Sequence, residues 1–189
     1  YHPVFNVEAL RRYADVFSEG EPVFISEKIH GANSRFCWAD DRMHAGSRTT
    51  WKRQDGDSLW WRALEGYPQI EYACRGWETT VYAEIYGQVQ DLKYGCGRGE
   101  IRVGVFDVLR GSKWLAPLEA RGLFPELPWV PTVTEETPFL AERIYALADG
   151  PSLIAGANHC REGVVVKPLI ERTSPEIGRV CLKVVSSEY

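Results

Sequence analysis

Val23-Phe24-Ile25-Ser26-Glu27-Lys28-Ile29-His30-Gly31-Ala32-Asn33 is the stretch on which the reading of this chain turns. Its apolar opening reads as a strand, because β-branched and aromatic residues suit a pleated, half-buried surface. The strand ends in a charged pair, Glu27-Lys28, and the lysine stands three residues before Gly31. Two later strand-like segments carry related groups: Glu162-Gly163-Val164-Val165-Val166-Lys167 and Leu182-Lys183-Val184-Val185. A lysine, a distant acid and a second distant lysine, each on its own strand, point to attack on a nucleotide phosphate.

Such a lysine needs help. An unperturbed lysine has a pKa near 10.4, so only about one in a thousand is neutral at physiological pH. Bringing that value to neutrality takes a drop of about three pH units, or about 4 kcal/mol. A nearby cation or removal from water supplies it; Lys183 and a bound metal are the candidates. Charge must also be neutralised on the phosphate oxygens and on the departing pyrophosphate, so lysines, arginines and a divalent metal are expected. Alone, a K-x-x-G tetrapeptide or an E-G-x-V-x-K run is a weak signal; the force lies in the combination and its order.

The 189 residues are enough for one domain with a real core. Apolar residues make up 44% and charged residues 25%, as in an ordinary globular protein. No apolar run approaches a membrane span, and no signal peptide is visible. The five cysteines show no C-x-x-C spacing, which argues for a reduced, cytoplasmic protein and against a zinc site. A net charge of −4, from 22 basic and 26 acidic residues, argues against a broadly cationic nucleic-acid binder but leaves room for a local basic groove.

Residues 6–17 read as an amphipathic helix capped by Asn6, with Leu10, Tyr13, Ala14 and Phe17 on one face. Strands are expected at 23–28 and 34–39 with a turn at Asp40-Asp41, and a returning strand and polar loop within 42–51. Helices are expected at 59–64 and 70–75, broken at Pro68, and another at 139–147. Further strands are expected at 79–86, 101–109, 164–166 and 180–185, and residues 95–99 read as a hairpin loop. The sum is one mixed α+β domain with an antiparallel-dominated sheet and peripheral helices.

These residues resemble the covalent nucleotidyltransferase superfamily of ATP-dependent DNA and RNA ligases and mRNA capping enzymes. Lys28-Ile29-His30-Gly31 matches its first motif, K-x-(D/H/N)-G. The longer tract Glu27 to Asn33 is closer to the phage RNA ligase 2 branch, which favours histidine where the others usually have aspartate. Gly46-Ser47-Arg48-Thr49 resembles the next, arginine-containing element. Val81 to Gly87 resembles the acid-bearing third motif, and Val105-Phe106-Asp107-Val108 the aromatic–Asp strand that follows. Glu162 to Lys167 matches the fourth motif and Leu182-Lys183 the fifth. The likeness runs through almost the whole chain.

The resemblance implies an adenylyltransferase fold of the DNA/RNA ligase type, described as ATP-grasp-like, and a role for each matching residue. Lys28 is the expected nucleophile, carrying AMP through a phosphoramidate bond. Lys183 is expected on the α-phosphate, where it orients the nucleotide and activates Lys28. Glu84 is expected to bond the ribose and Phe106 to stack on adenine. Arg48 is expected on a phosphate, and Glu162 at a Mg²⁺ or Mn²⁺ ion. Glu27, His30, Asn33 and Lys167 complete the expected nucleotide site, with Lys167 partly filling the place of a cation that the branch carries where this chain has Cys181. Ser26 replaces an arginine of the phage enzyme. Asp107 is expected to brace the fold or to serve the site.

The function so implied is sealing of nicks in duplex RNA or an RNA/DNA hybrid, with ATP as substrate. The alternatives are a DNA ligase, a capping guanylyltransferase, or a non-catalytic nucleotide- or RNA-binding domain. The non-Met start, and an end just past Lys183, fit a monomeric domain excised from a ligase with a separate OB domain.

Overall fold

In the computed structural model, which describes residues 2–189, the alternating apolar segments become strands and almost all of them pair antiparallel. In chain order the strands are β1 (Glu8–Ala9), β2 (Pro22–Lys28), β3 (Ala32–Ala39), β4 (Arg42–Gly46), β5 (Thr79–Gly87), β6 (Ile101–Arg110), β7 (Lys113–Trp114), β8 (Thr132–Pro138), β9 (Gly163–Pro168), β10 (Thr173–Ser174), β11 (Gly178–Arg179) and β12 (Leu182–Val185). The helices are α1 (Leu59–Gly66), α2 (Pro68–Trp77), α3 (Pro117–Leu123) and α4 (Ala141–Ala148). This is the mixed α+β, antiparallel-dominated class that the sequence implies.

The residues sort into two compact units, each with its own sheet and core. The first comprises residues 2–4, His30–Leu115 and Glu119–Trp129. Its sheet has the order β4-β3-β5-β6-β7. Phe36, Val81, Ala83, Ile85, Val103, Val105 and Val108 point to one face and meet Trp61, Leu64, Ile70, Ala73 and Cys74 of α1 and α2. Alternation produces this: residues two apart share a face, so one apolar series per strand suffices. Pro68 opens α2, where its missing N–H costs nothing, and so sets the break between the helices. Asp40 and Asp41 join β3 to β4 with φ of 49° and 56°, the left-handed pair that a two-residue hairpin requires.

The second unit comprises Phe5–Ile29, Ala116–Leu118 and Val130–Tyr189. Its main sheet has the order β1-β12-β9-β2-β8. Val23, Ile25, Val164, Val166, Leu182 and Val184 form one face and bury Leu10, Phe17, Phe139, Ile144 and Ala148 against it. Several elements depart from the sequence reading. Residues 6–17 form no α-helix: Glu8–Ala9 pairs in parallel with Leu182–Lys183, and 3₁₀ turns follow at Leu10–Arg12 and Ala14–Val16. Leu10 and Phe17 are still buried, so the apolar spacing is satisfied while the backbone bonds go to a neighbouring strand. The polar strand β8 and the short helix α3 were not expected. β8 lies at the sheet edge, where a Thr- and Glu-rich strand needs no apolar series of its own.

Candidate active site

Lys28 is the last residue of β2, and the ladder to β9 sets its surroundings. Phe24 pairs with Lys167, Ser26 with Val165 and Lys28 with Gly163, while Val165 pairs in turn with Lys183 on β12. Paired residues share a face, and so do residues two apart. Lys28, Lys167 and Lys183 therefore stand on one face of this sheet, opposite the Val23–Ile25 core series. The side chain of Lys28 donates to Glu162 across 2.5 Å, with side-chain exposures of 24% and 11%. A charge-assisted bond that is largely out of water is strong and directional. Lys167 is 4% exposed, and Lys183 is half-buried.

The glycine beside Glu162 has a steric reason. A Cβ on Gly163 would lie 2.0 Å from the Val184 carbonyl oxygen, and its φ is 153°, a region that favours glycine. β9 and β12 thus approach more closely than any side chain permits, at the point where Glu162 enters the strand.

Glu27, although adjacent to Lys28, faces the other way. Its carboxylate is 1% exposed and accepts bonds from Ser152 Oγ at 2.6 Å and the Leu153 N–H at 2.7 Å. The carboxylate expected to contact the nucleotide is thus placed on the opposite face from the lysines, because a strand alternates.

The first unit carries the second set of expected residues. Asn33 pairs with Glu84 and Glu84 with Gly104, so the Asn33 and Glu84 side chains share the face opposite the core. The register slips by one residue between Tyr82 and Ala83, leaving Phe106 as the extra residue of a bulge between Val105 and Asp107. Phe106 is half-buried and lies away from the core face of Val105 and Val108. Asp107 is 3% exposed, opposite Tyr82. A Cβ on Gly31 would fall 2.2 Å from the Ile85 carbonyl oxygen and 3.1 Å from Glu84 Cγ. The glycine of K-x-H-G is what lets this segment lie against the Glu84 strand.

His30 is held through its backbone: its N–H donates to the Tyr94 hydroxyl at 2.7 Å. Arg48 is exposed at the tip of a tight loop closed by the Ser47 N–H on the Thr50 carbonyl at 2.9 Å. Arg35 holds that loop, donating from Nε to the Ser47 carbonyl at 3.1 Å. Tyr94 and Arg35 were not singled out in the sequence. Tyr94 lies 64 residues from His30, with a left-handed φ of 53°, and nothing local signals either feature.

Among the described residues, no group of three or more His, Cys, Asp and Glu side chains forms a metal cage. Glu162 is one buried carboxylate beside a lysine. That donor set fits a cation such as Mg²⁺, which keeps several waters and is bound through one or two carboxylates plus substrate phosphate. No disulfide joins the five cysteines, and no helix among the described residues is long and apolar enough to cross a membrane.

A strand-end lysine paired with a buried acid thus lies on a sheet face that carries two further lysines, on an antiparallel α+β scaffold. The chain belongs to the RNA ligase family, whose sequence profile matches residues 21–185. Its fold is similar to that of an RNA ligase from Naegleria gruberi. A variant of that enzyme with ATP and Mn superposes with a TM-score of 0.82 at 23% identity, covering 98% of this chain and 56% of that one. The enzyme with PPi gives 0.81 at 22% identity, with 98% and 56% covered. A variant with AMP and Mn gives 0.80 at 22% identity, again with 98% and 56% covered. The chain thus spans little more than half the length of these proteins. No curated protein matches it.

Proposed function

We propose that this chain is the nucleotidyltransferase part of an ATP-dependent RNA ligase that seals nicks in duplex RNA or an RNA/DNA hybrid. The observation that carries the proposal is the Lys28–Glu162 contact of 2.5 Å, on the sheet that also bears Lys167 and Lys183. Family membership, and the ATP, AMP and Mn named with the Naegleria enzyme, support it.

Three displacements at phosphorus follow. In the first, the neutral amine of Lys28 attacks the α-phosphorus of ATP; the P–N bond forms, the bond to the bridging oxygen of the β-phosphate breaks, pyrophosphate leaves with that electron pair, and the lysine nitrogen gives up one proton to solvent. In the second, a 5′-phosphate oxygen of the nucleic acid displaces Lys28 from AMP, and the amine leaves with its electron pair and regains a proton. In the third, the 3′-hydroxyl across the nick attacks the 5′-phosphate, loses its proton and expels AMP.

Lys183 and Lys167 neutralise phosphate charge and orient the α-phosphate for Lys28. Glu84 accepts a bond from the ribose, Phe106 stacks on the adenine, and Arg48 engages a phosphate of the nucleotide or of the nucleic-acid end. His30 and Asn33 complete the nucleotide contacts, and Glu27 acts from behind the strand by holding its end. A Mg²⁺ or Mn²⁺ ion on Glu162 would supply Lewis-acid stabilisation of the phosphate oxygens.

Incubation with ATP and Mg²⁺ or Mn²⁺, followed by intact-mass measurement, tests this reading. The protein is expected to gain the mass of one AMP, on Lys28, and Lys28→Met to gain none. GTP in place of ATP is expected to give no adduct. Absence of any adduct from the unmodified chain across a pH series refutes the catalytic reading.

A further inference from the structure

Lys28 and Lys183 lie on two strands and Glu162 stands just before a third, yet the residue before Lys28, the residue before Glu162 and Ser186, three positions past Lys183, are all tied to one short loop, residues 149–154. Glu27, just before Lys28, accepts from Ser152 Oγ at 2.6 Å and from the Leu153 N–H at 2.7 Å. Arg161, just before Glu162, is 7% exposed and donates from Nε and Nη2 to the Pro151 carbonyl at 3.2 and 3.0 Å. Its Nη1 reaches the Leu147 carbonyl at 3.3 Å, and its own N–H reaches the Gly150 carbonyl at 3.0 Å. Beyond Lys183, the Ser186 N–H donates to the Glu162 carbonyl at 2.8 Å while its hydroxyl donates to Asp149 at 2.8 Å. Ser187 adds its N–H and its hydroxyl to the same carboxylate, at 2.8 and 2.9 Å.

Two buried charges are thus committed to a loop that carries none of the reacting groups. Charges taken from water rarely improve stability over apolar packing, but charge-assisted bonds fix geometry strongly. Their placement, one residue before each member of the Lys28–Glu162 pair, is where leverage on those side chains is greatest. A displacement of an ångström in such a pair costs about 10²-fold in rate.

We infer that residues 149–154 form a positioning hub, with Glu27 and Arg161 as the positioning residues that set Lys28 against Glu162. The inference rests on Lys28 being the nucleophile proposed above, and its test has a readout that does not depend on that reading.

Four proteins are compared with the unmodified chain: Glu27→Gln, Ser152→Ala, the conservative Ser152→Thr, and Glu21→Gln. The last breaks the Glu21–Arg172 pair at 2.7 Å in the same unit, far from the hub in the bonding network, and controls for lost stability. Single-turnover formation of the lysine–AMP adduct, per folded molecule, is expected to fall by about 10²-fold in Glu27→Gln and by about tenfold in Ser152→Ala, with the KM for ATP changed by less than about threefold. Ser152→Thr is expected to restore the rate, and Glu21→Gln to lower the melting temperature without slowing the step.

In parallel, NMR of ¹³Cε/¹⁵Nζ-labelled lysine follows the Lys28 chemical shifts at one fixed pH without ATP. These are expected to change in the first two variants and to stay unchanged in Glu21→Gln. An unmodified chain that makes no adduct refutes the proposed function, and the NMR comparison then decides the hub. Lys28 chemical shifts unchanged in both Glu27→Gln and Ser152→Ala overturn the hub, as do rates equal to that of the unmodified chain.

Discussion

Replacing Gly163 by alanine puts a methyl group where the backbone of β12 already lies. The new Cβ falls 2.0 Å from the Val184 carbonyl oxygen, and 2.9 Å from both the Val184 carbonyl carbon and the Val185 Cα. All three are backbone atoms, so relief requires β9 and β12 to part. The φ of 153° adds conformational strain of about 1–3 kcal/mol for a residue with a Cβ. Overpacking against fixed backbone adds about 1–3 kcal/mol more. The midpoint of the sum, about 4 kcal/mol, is a large part of the stability of an ordinary domain. At about 2–4 °C per kcal/mol for a chain of this size, the melting temperature falls by about 8–16 °C.

Gly178→Ala is the internal comparison. Its φ is 70°, but a Cβ there meets nothing within 4 Å, so only the strain of about 1–2 kcal/mol applies. Thermal unfolding followed by circular dichroism separates the two variants. A Gly163→Ala protein that melts no lower than Gly178→Ala would refute the close-approach argument. Because β9 and β12 carry the residues beside Glu162 and Lys183, adduct formation by Gly163→Ala is expected to fall with them, even below its melting temperature.

Other outcomes follow from the same geometry. Glu162→Gln, which removes the charge facing Lys28, is expected to slow adduct formation by about 10²-fold in single-turnover assays; an unchanged rate would remove Glu162 from the site. The Asp149 carboxyl is held below its ordinary value of 3.8 by bonds from the Ser186 hydroxyl and then the Ser187 N–H and hydroxyl. A depressed folded-state value means that its stabilisation is complete above the ordinary value and is lost as pH falls through the lowered one. Protection of the Ser187 amide from hydrogen exchange is therefore expected to fade in that acid window, and Asp149→Asn to abolish this pH dependence; an identical response in the variant would contradict the assignment. Burial raises the Cys37 thiol to about 11 and pushes Cys74 higher still, whereas Cys160 is only half-buried. Iodoacetamide in mildly alkaline buffer is expected to alkylate Cys160 first, and peptide masses showing Cys37 or Cys74 modified first in the folded protein would refute it.

Much of the fold was legible where burial imposes a period. β2, β5, β6 and β9 were readable because burial leaves them rich in β-branched and aromatic residues, as short apolar runs in β2 and β9 and with core-facing residues at every second position in β5. β8 was not, because an edge strand can be polar throughout. Residues 6–17 misled for a related reason. Leu10 and Phe17 keep a helical spacing, but the partner of Glu8–Ala9 is β12, more than 170 positions away, and no local pattern encodes it. The candidate site divides the same way. The glycines at 31 and 163 were visible as motif letters, while their reason, a backbone 2.2 or 2.0 Å from where a Cβ would sit, belongs to another strand in each case.

The sequence by itself determined the chemistry available: a lysine, an acid and two more lysines on or beside strands, in the order of a nucleotidyltransferase. Only the tertiary structure decided which of these groups meet. Lys28 and Glu162 stand 134 residues apart and are joined because antiparallel pairing sets Lys28 opposite Gly163. Glu27 and Lys28 are adjacent and yet serve opposite faces, one bonded to the loop at Ser152 and the other to Glu162. Alternation along a strand is a local property that side-chain chemistry records. The choice of partner strand and its register arises from cores and backbone bonds assembled across the whole unit, and no short stretch of residues contains it.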